Sequence, residues 1–128
     1  MRPLAEEWRR KADEDFAVAE RELAAAPPAF AAVCFHAQQA VEKYLKALLA
    51  AAGKPAPKTH DLNYLLKLLG EEGKPFAALA VDLAVLSLAA VEVRYPGVDP
   101  DKKRAQAAVA TMQSFFALVA KSRPLEPS

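Results

Sequence analysis

The chain has 128 residues with 17 Lys+Arg against 16 Asp+Glu, a balance that excludes a charge-driven hold on nucleic acid or on an anionic membrane. Alanine contributes 29 residues and leucine 16, isoleucine is absent and glycine occurs four times, so the composition favours helix throughout. A single cysteine, Cys34, excludes an internal disulfide and fits a reducing cytoplasm; no apolar run reaches the roughly 18 residues of a membrane span, and the charged N-terminus is unlike a signal peptide.

Prolines and glycines punctuate five predicted helices, four long and one short, in an all-α, antiparallel up-and-down bundle. The first runs from about Leu4 to Ala26 and ends at Pro27-Pro28. Trp8, Ala12, Phe16, Ala19 and Leu23 line its apolar face at spacings of three and four. Asp15 lies at the edge of that stripe and needs a partner, a cross-helix hydrogen bond or ion pair in preference to a catalytic role. The second helix, about Ala29 to Ala52, is central: Phe30, Val33, Ala37, Val41, Tyr44 and Leu48 form its seam, widened by Cys34 and Leu45. On its reverse side His36, Gln39 and Lys43 form a narrow polar stripe bordered by Ala32, Ala40, Ala47 and Ala50. Such small neighbours admit a close approach by a helix, a ligand or a second copy of the chain.

Thr59-His60-Asp61-Leu62 opens the short third helix, with Asp61 or Thr59 to cap it and Gly70 to end it. The fourth, about Lys74 to Tyr95, is apolar almost all round, which points to an oligomer interface. The fifth starts after Asp99-Pro100-Asp101 and turns Ala105, Ala108, Val109, Met112, Phe116 and Val119 inward. Residues 1–123 read as one domain and 124–128 as a frayed tail.

Enzyme templates are missing: there is no glycine-rich phosphate loop, no His-Glu-x-x-His pair and no Gly-x-Ser-x-Gly elbow. Nothing gathers metal ligands around His36 and His60, which read better as hydrogen-bonded structural histidines than as zinc ligands to be joined by Asp61 or Asp15. No cofactor is implied, and Cys34 on the seam reads as an inert thiol. Phosphate binding has more support. Arg94 lies in line with the inner face of the fourth helix, and Lys102, Lys103 and Arg104 crowd the start of the fifth, where a helix N-terminus is already positive, a conflict that a bound anion or Asp99 and Asp101 would relieve.

The run Cys34-Phe35-His36-Ala37-Gln38-Gln39-Ala40-Val41-Glu42-Lys43-Tyr44-Leu45-Lys46-Ala47, followed by Thr59-His60-Asp61-Leu62 and Arg94-Tyr95-Pro96, resembles the HEPN domain family of bacteria and archaea, and Asp15-Phe16 also fits its pattern. The resemblance covers nearly the whole chain. It implies a helical bundle of about five helices, usually dimeric, with a proposed nucleotide-binding role. Small stand-alone members are often encoded beside a minimal nucleotidyltransferase as its partner. Many members are ribonucleases that use an Arg followed after four to six residues by a His, and this chain lacks that spacing. Upstream of His36 the required positions hold Ala29, Phe30 and Ala31, upstream of His60 they hold Gly53, Lys54 and Pro55, and no histidine follows Arg94. The expectation is therefore a non-catalytic, dimeric module that binds a nucleotide or a nucleotidyltransferase partner through His36, Gln39, Lys43, Arg94 and Lys102 to Arg104. The alternative is a ribonuclease toxin of a toxin–antitoxin pair with a non-standard site. Within the motif, Glu42 and Lys46 are expected to pair on the helix surface, and His60 and Asp61 to start the third helix.

Overall fold

The computed structural model describes residues 2–92, 95–97 and 99–122, so the expected tail lies outside the described residues. Five α-helices form the bundle: α1 (Pro3–Ala24), α2 (Phe30–Ala51), α3 (Leu62–Leu68), α4 (Ala80–Glu92) and α5 (Lys102–Ser122). The described residues contain no strand. Pro3 suits the first turn of α1, where its missing N–H has no acceptor to serve. Gly53, at φ 73°, takes the left-handed conformation just past α2 that a side chain would strain.

The helix α2 is the axle, burying residues on several sides and packing against each of the other four α-helices. Its most extensive partner is α1. Both bury small residues, Ala5, Ala12 and Ala19 on α1 and Ala37, Ala40 and Ala47 on α2, so the backbones approach closely. The small-residue border foreseen around the polar stripe is thus covered, at Ala40 and Ala47, within the bundle itself. Farther along, Phe76 stacks on Phe115 with centroids 4.7 Å apart, and Phe116 meets Phe16 at 4.6 Å and Tyr44 at 5.2 Å. The fully buried aromatic of α5 is Phe115, not the expected Phe116, because the segment before α4 brings Phe76 onto it.

That segment departs from the predicted long fourth helix. Gly70–Leu79 is a 3-10 helix, and the α-helix begins only at Ala80. Pro75 lies inside it: lacking an N–H and crowding the carbonyl four residues back, it disfavours an α-turn there. By length and composition Gly70–Glu92 could cross a membrane, which corrects the expectation that no stretch reaches that length. In the bundle the same stretch supplies Phe76, Leu83, Leu86, Ala89 and Ala90 to the core. Its opposite side stays open, with Val81 77%, Val85 51%, Leu88 50% and Val91 47% exposed.

Candidate functional site

The polar stripe of α2 meets α1 at Asp15. Lys43 stands seven residues after His36, two turns along the same face, and both reach one carboxylate. Asp15 Oδ1 lies 2.8 Å from His36 Nδ1, and its Oδ2 accepts from Lys43 Nζ at 2.7 Å. An ionised carboxylate only accepts, so Nδ1 carries the proton, and Nε2 has no hydrogen-bond partner among the described residues. Asp15 thus finds the cross-helix partners that its place at the stripe's edge demanded.

Gln39 belongs to a second network one turn away, centred on Glu42. That carboxylate is 4% exposed and is surrounded by donors. Its Oε1 lies 2.8 Å from His60 Nδ1 and accepts from Gln38 Nε2 at 3.1 Å and Gln39 Nε2 at 3.4 Å. Its Oε2 accepts from Lys46 Nζ at 3.1 Å. Burial alone would raise the Glu42 pKa, but hydrogen bonds from His60, Gln38 and Lys46 outweigh it and hold the carboxyl below its ordinary value. Gln38, fully buried, also donates to the His60 carbonyl oxygen at 3.2 Å, and Gln39 donates to Gln38 Oε1 at 2.7 Å. The Glu42–Lys46 pair exists as foreseen, but in the interior, because the chain before α3 folds over it. Lys46 also lies over the Trp8 ring, 5.3 Å from its centroid.

Asp61 caps α3, its carboxylate accepting from the Tyr64 N–H at 3.2 Å, while Thr59 Oγ1 accepts from the Asp61 N–H at 3.1 Å. His60 does more than start that helix, since its ring anchors to Glu42. At the start of α5, Asp101 Oδ1 accepts from the Arg104 N–H at 2.8 Å, and Arg104 Nη2 pairs with Glu92 at 2.6 Å. Lys102 and Lys103 are exposed. Arg94 lies outside the described residues. The predicted residues therefore divide into three places: His36 and Lys43 on Asp15, Gln39 in the Glu42 network, and Lys102, Lys103 and Arg104 at the start of α5, where Arg104 pairs with Glu92. Among the described residues no group of three His, Cys, Asp or Glu side chains is placed to hold a metal.

Sequence reasoning did not single out Gln38 and Glu42 as buried polar groups. A signal existed, because Gln38 sits four residues after Cys34 and three before Val41 on the apolar seam. Cys34 itself is buried, and burial pushes its thiol pKa up, as it does the Tyr44 phenol, to about 12.

With this geometry in place, the family follows from comparison. The HEPN domain model matches residues 5–122. The chain belongs to the HEPN domain family. A crystal structure of TT1696 from Thermus thermophilus has a similar fold, with a TM-score of 0.79 and 29% sequence identity over 91% of this chain and 96% of that one. No curated protein matches the chain. As a HEPN domain it has the helical bundle, and no arginine stands five to seven positions before His36 or His60.

Proposed function

We propose that this HEPN domain is a non-catalytic binding module that works as a dimer and takes a nucleotide, a nucleotidyltransferase partner, or both. The observation that carries the reading is that no arginine precedes either histidine at the ribonuclease spacing, although each ring is held through Nδ1 by a buried carboxylate. Cleavage of RNA without metal requires a base for the 2′-hydroxyl and an acid for the leaving oxygen, and a histidine with no arginine at the required spacing lacks the usual arrangement. Support for an anionic ligand comes from the first turn of α5. There Lys102 and Lys103 are exposed on a helix end that already favours negative charge, beside Arg104. In this reading Lys102, Lys103 and Arg104 take the phosphate, while His36, Gln39 and Lys43 stay engaged within the chain.

Calorimetric titration with ATP tests it. Binding is expected in the micromolar range, weakened at least tenfold in the Lys102→Glu, Lys103→Glu double variant. No heat with high micromolar protein removes the nucleotide from the reading. Cleavage of RNA that stops with His36→Ala would establish the ribonuclease alternative instead.

A further inference from the structure

A cleft of about 350 Å³ opens between the chain that leaves α2 and the outer side of α3, lined by Lys54, Pro55, Ala56, Pro57, Tyr64 and Leu68. Small-molecule sites occupy about 300–1,000 Å³, so the cleft is large enough for a compact ligand. Both walls follow from the sequence. Pro55 and Pro57 fix φ at their own positions and bias Lys54 and Ala56 towards extended backbone, so the strip that leaves α2 is stiff and helix-free. On α3, Leu62, Leu65 and Leu69 turn into the core, which leaves Tyr64 and Leu68, four residues apart, side by side on the outer face. The core closes behind Tyr64, whose ring remains 46% exposed. Lys54 ties the two walls together: its Nζ donates to the Leu68 carbonyl oxygen at 3.0 Å and to that of Leu69 at 3.4 Å, acceptors of the kind a helix end leaves free. An ammonium has three N–H groups, so one remains for a ligand. The surroundings are positive. From Lys54 to Leu69 the exposed Lys54, Lys58 and Lys67 stand against Asp61 alone, and the following Glu71 is paired with Lys74 at 2.7 Å.

We propose that this cleft binds a small aromatic carboxylate of one or two fused rings, with the ring seated between Tyr64 and the prolines and the carboxylate on Lys54. Apolar walls with one cation at the rim match a flat apolar body that carries one negative charge. The charge-assisted hydrogen bond from Lys54 fixes the orientation, and the lysines at 58 and 67 strengthen the field that draws an anion in. Because the walls are stiffened by proline and already pinned to each other, little ordering is needed on binding. A nucleoside triphosphate fits less well, since it needs several cations where one lines the cleft. The site is also remote from the lysines at the start of α5. Arg104 lies beside Cys34 near the beginning of α2, and α2 rises about 25 Å from Cys34 to Ala51, just before the cleft. The two sites therefore succeed or fail independently.

Backbone amide NMR of the full chain, titrated with naphthoate, tests the assignment. For a ligand of about 13 non-hydrogen atoms a dissociation constant on the order of 100 µM is expected, with the amides of Lys54, Ala56, Tyr64 and Leu68 moving most. Naphthamide, of the same shape without the charge, should bind at least tenfold more weakly. Tyr64→Ala, at a half-exposed position, should keep its helical circular dichroism and weaken naphthoate at least tenfold. The naphthamide comparison uses the unaltered chain, so it decides the matter if that variant is unstable. Cleft amides that stay still at roughly 1 mM naphthoate, ten times the expected constant, overturn the site. So do shifts gathered instead at Val85 and Leu88 on the outer side of α4, where an apolar ring would also adsorb. Equal binding of acid and amide, or ATP moving the cleft amides as far as naphthoate does, overturns the ligand class.

Discussion

Replacing Glu42 by Gln keeps the volume of the side chain and one acceptor oxygen but removes the charge and puts an NH2 group among donors. Its neighbours are Lys46 Nζ at 3.1 Å, His60 Nδ1 at 2.8 Å and Gln38 Nε2 at 3.1 Å, so at least one donor is left facing another donor. Breaking a buried ion pair by removing one partner costs about 3–5 kcal/mol when both ends are buried. Here the Glu42 side chain is 5% exposed, while the His60 ring is 45% exposed and rehydrates when released. The expected loss is therefore about 2–3 kcal/mol at pH 7, and a drop in Tm of roughly 8–12 °C for a domain of this size. Urea titration followed by circular dichroism measures it. The pH dependence has a definite sign. Glu42 titrates lower in the folded than in the unfolded chain, so its contribution is fully present above the ordinary carboxyl value of 4.5 and fades as the pH falls through the lowered one. Wild type and variant should therefore converge progressively as the pH falls below 4.5. A difference below about 1 kcal/mol at pH 7, or one that does not shrink as the pH falls below 4.5, would refute the reasoning.

Three further outcomes follow from single contacts. Asp15→Asn deprives Lys43 and His36 of their shared counter-charge; both are partly solvated, so the cost in urea unfolding should be about 1–2 kcal/mol, smaller than at Glu42. Gly73→Ala would place a Cβ 2.7 Å from the Leu66 carbonyl oxygen, and a loss of about 1–3 kcal/mol is expected; unchanged thermal melting would mean that the 3-10 segment shifts freely. Cys34 should react with an aromatic disulfide reagent about a hundredfold more slowly in the native protein than in denaturant at pH 7.5, since burial both shields the thiol and raises its pKa.

Helix number and order were legible because each helix has a 3.6-residue period and a punctuating Pro or Gly, as at Pro27-Pro28, Gly53 and Gly70. The fourth differs in its first half. Phe76, Leu79 and Leu83 keep helical spacing, and periodicity of apolar residues does not distinguish an α-turn from the tighter turn that Pro75 selects. Within the candidate site, the partner of Asp15 was legible as a need but not as an identity, since nothing local specifies which residues of α2 lie across the seam. The interior position of Glu42 was hidden for a related reason. An i,i+4 Glu–Lys pair is the usual pattern of a solvated helix face, and what buries it is chain before α3 that lies 18 residues farther on, at His60.

These contacts reassign the polar part of the α2 motif. His36 and Lys43 hold α1 through Asp15; Gln38, Gln39, Glu42 and Lys46 join one another, and that network holds the start of α3 through His60. Every charged, amide or imidazole side chain of the run from Cys34 to Ala47 thus has a partner inside the chain. A stretch with those commitments accounts for an architecture: it fixes three segments of the bundle against one another with charges that an apolar seam alone would not place in register. A ligand at His36 or Lys43 would first have to compete with Asp15, at a cost in stability that the Asp15→Asn variant measures. Among the described residues, the exposed Lys102 and Lys103 at the start of α5 face no such competition, and an anion held there would leave the network intact.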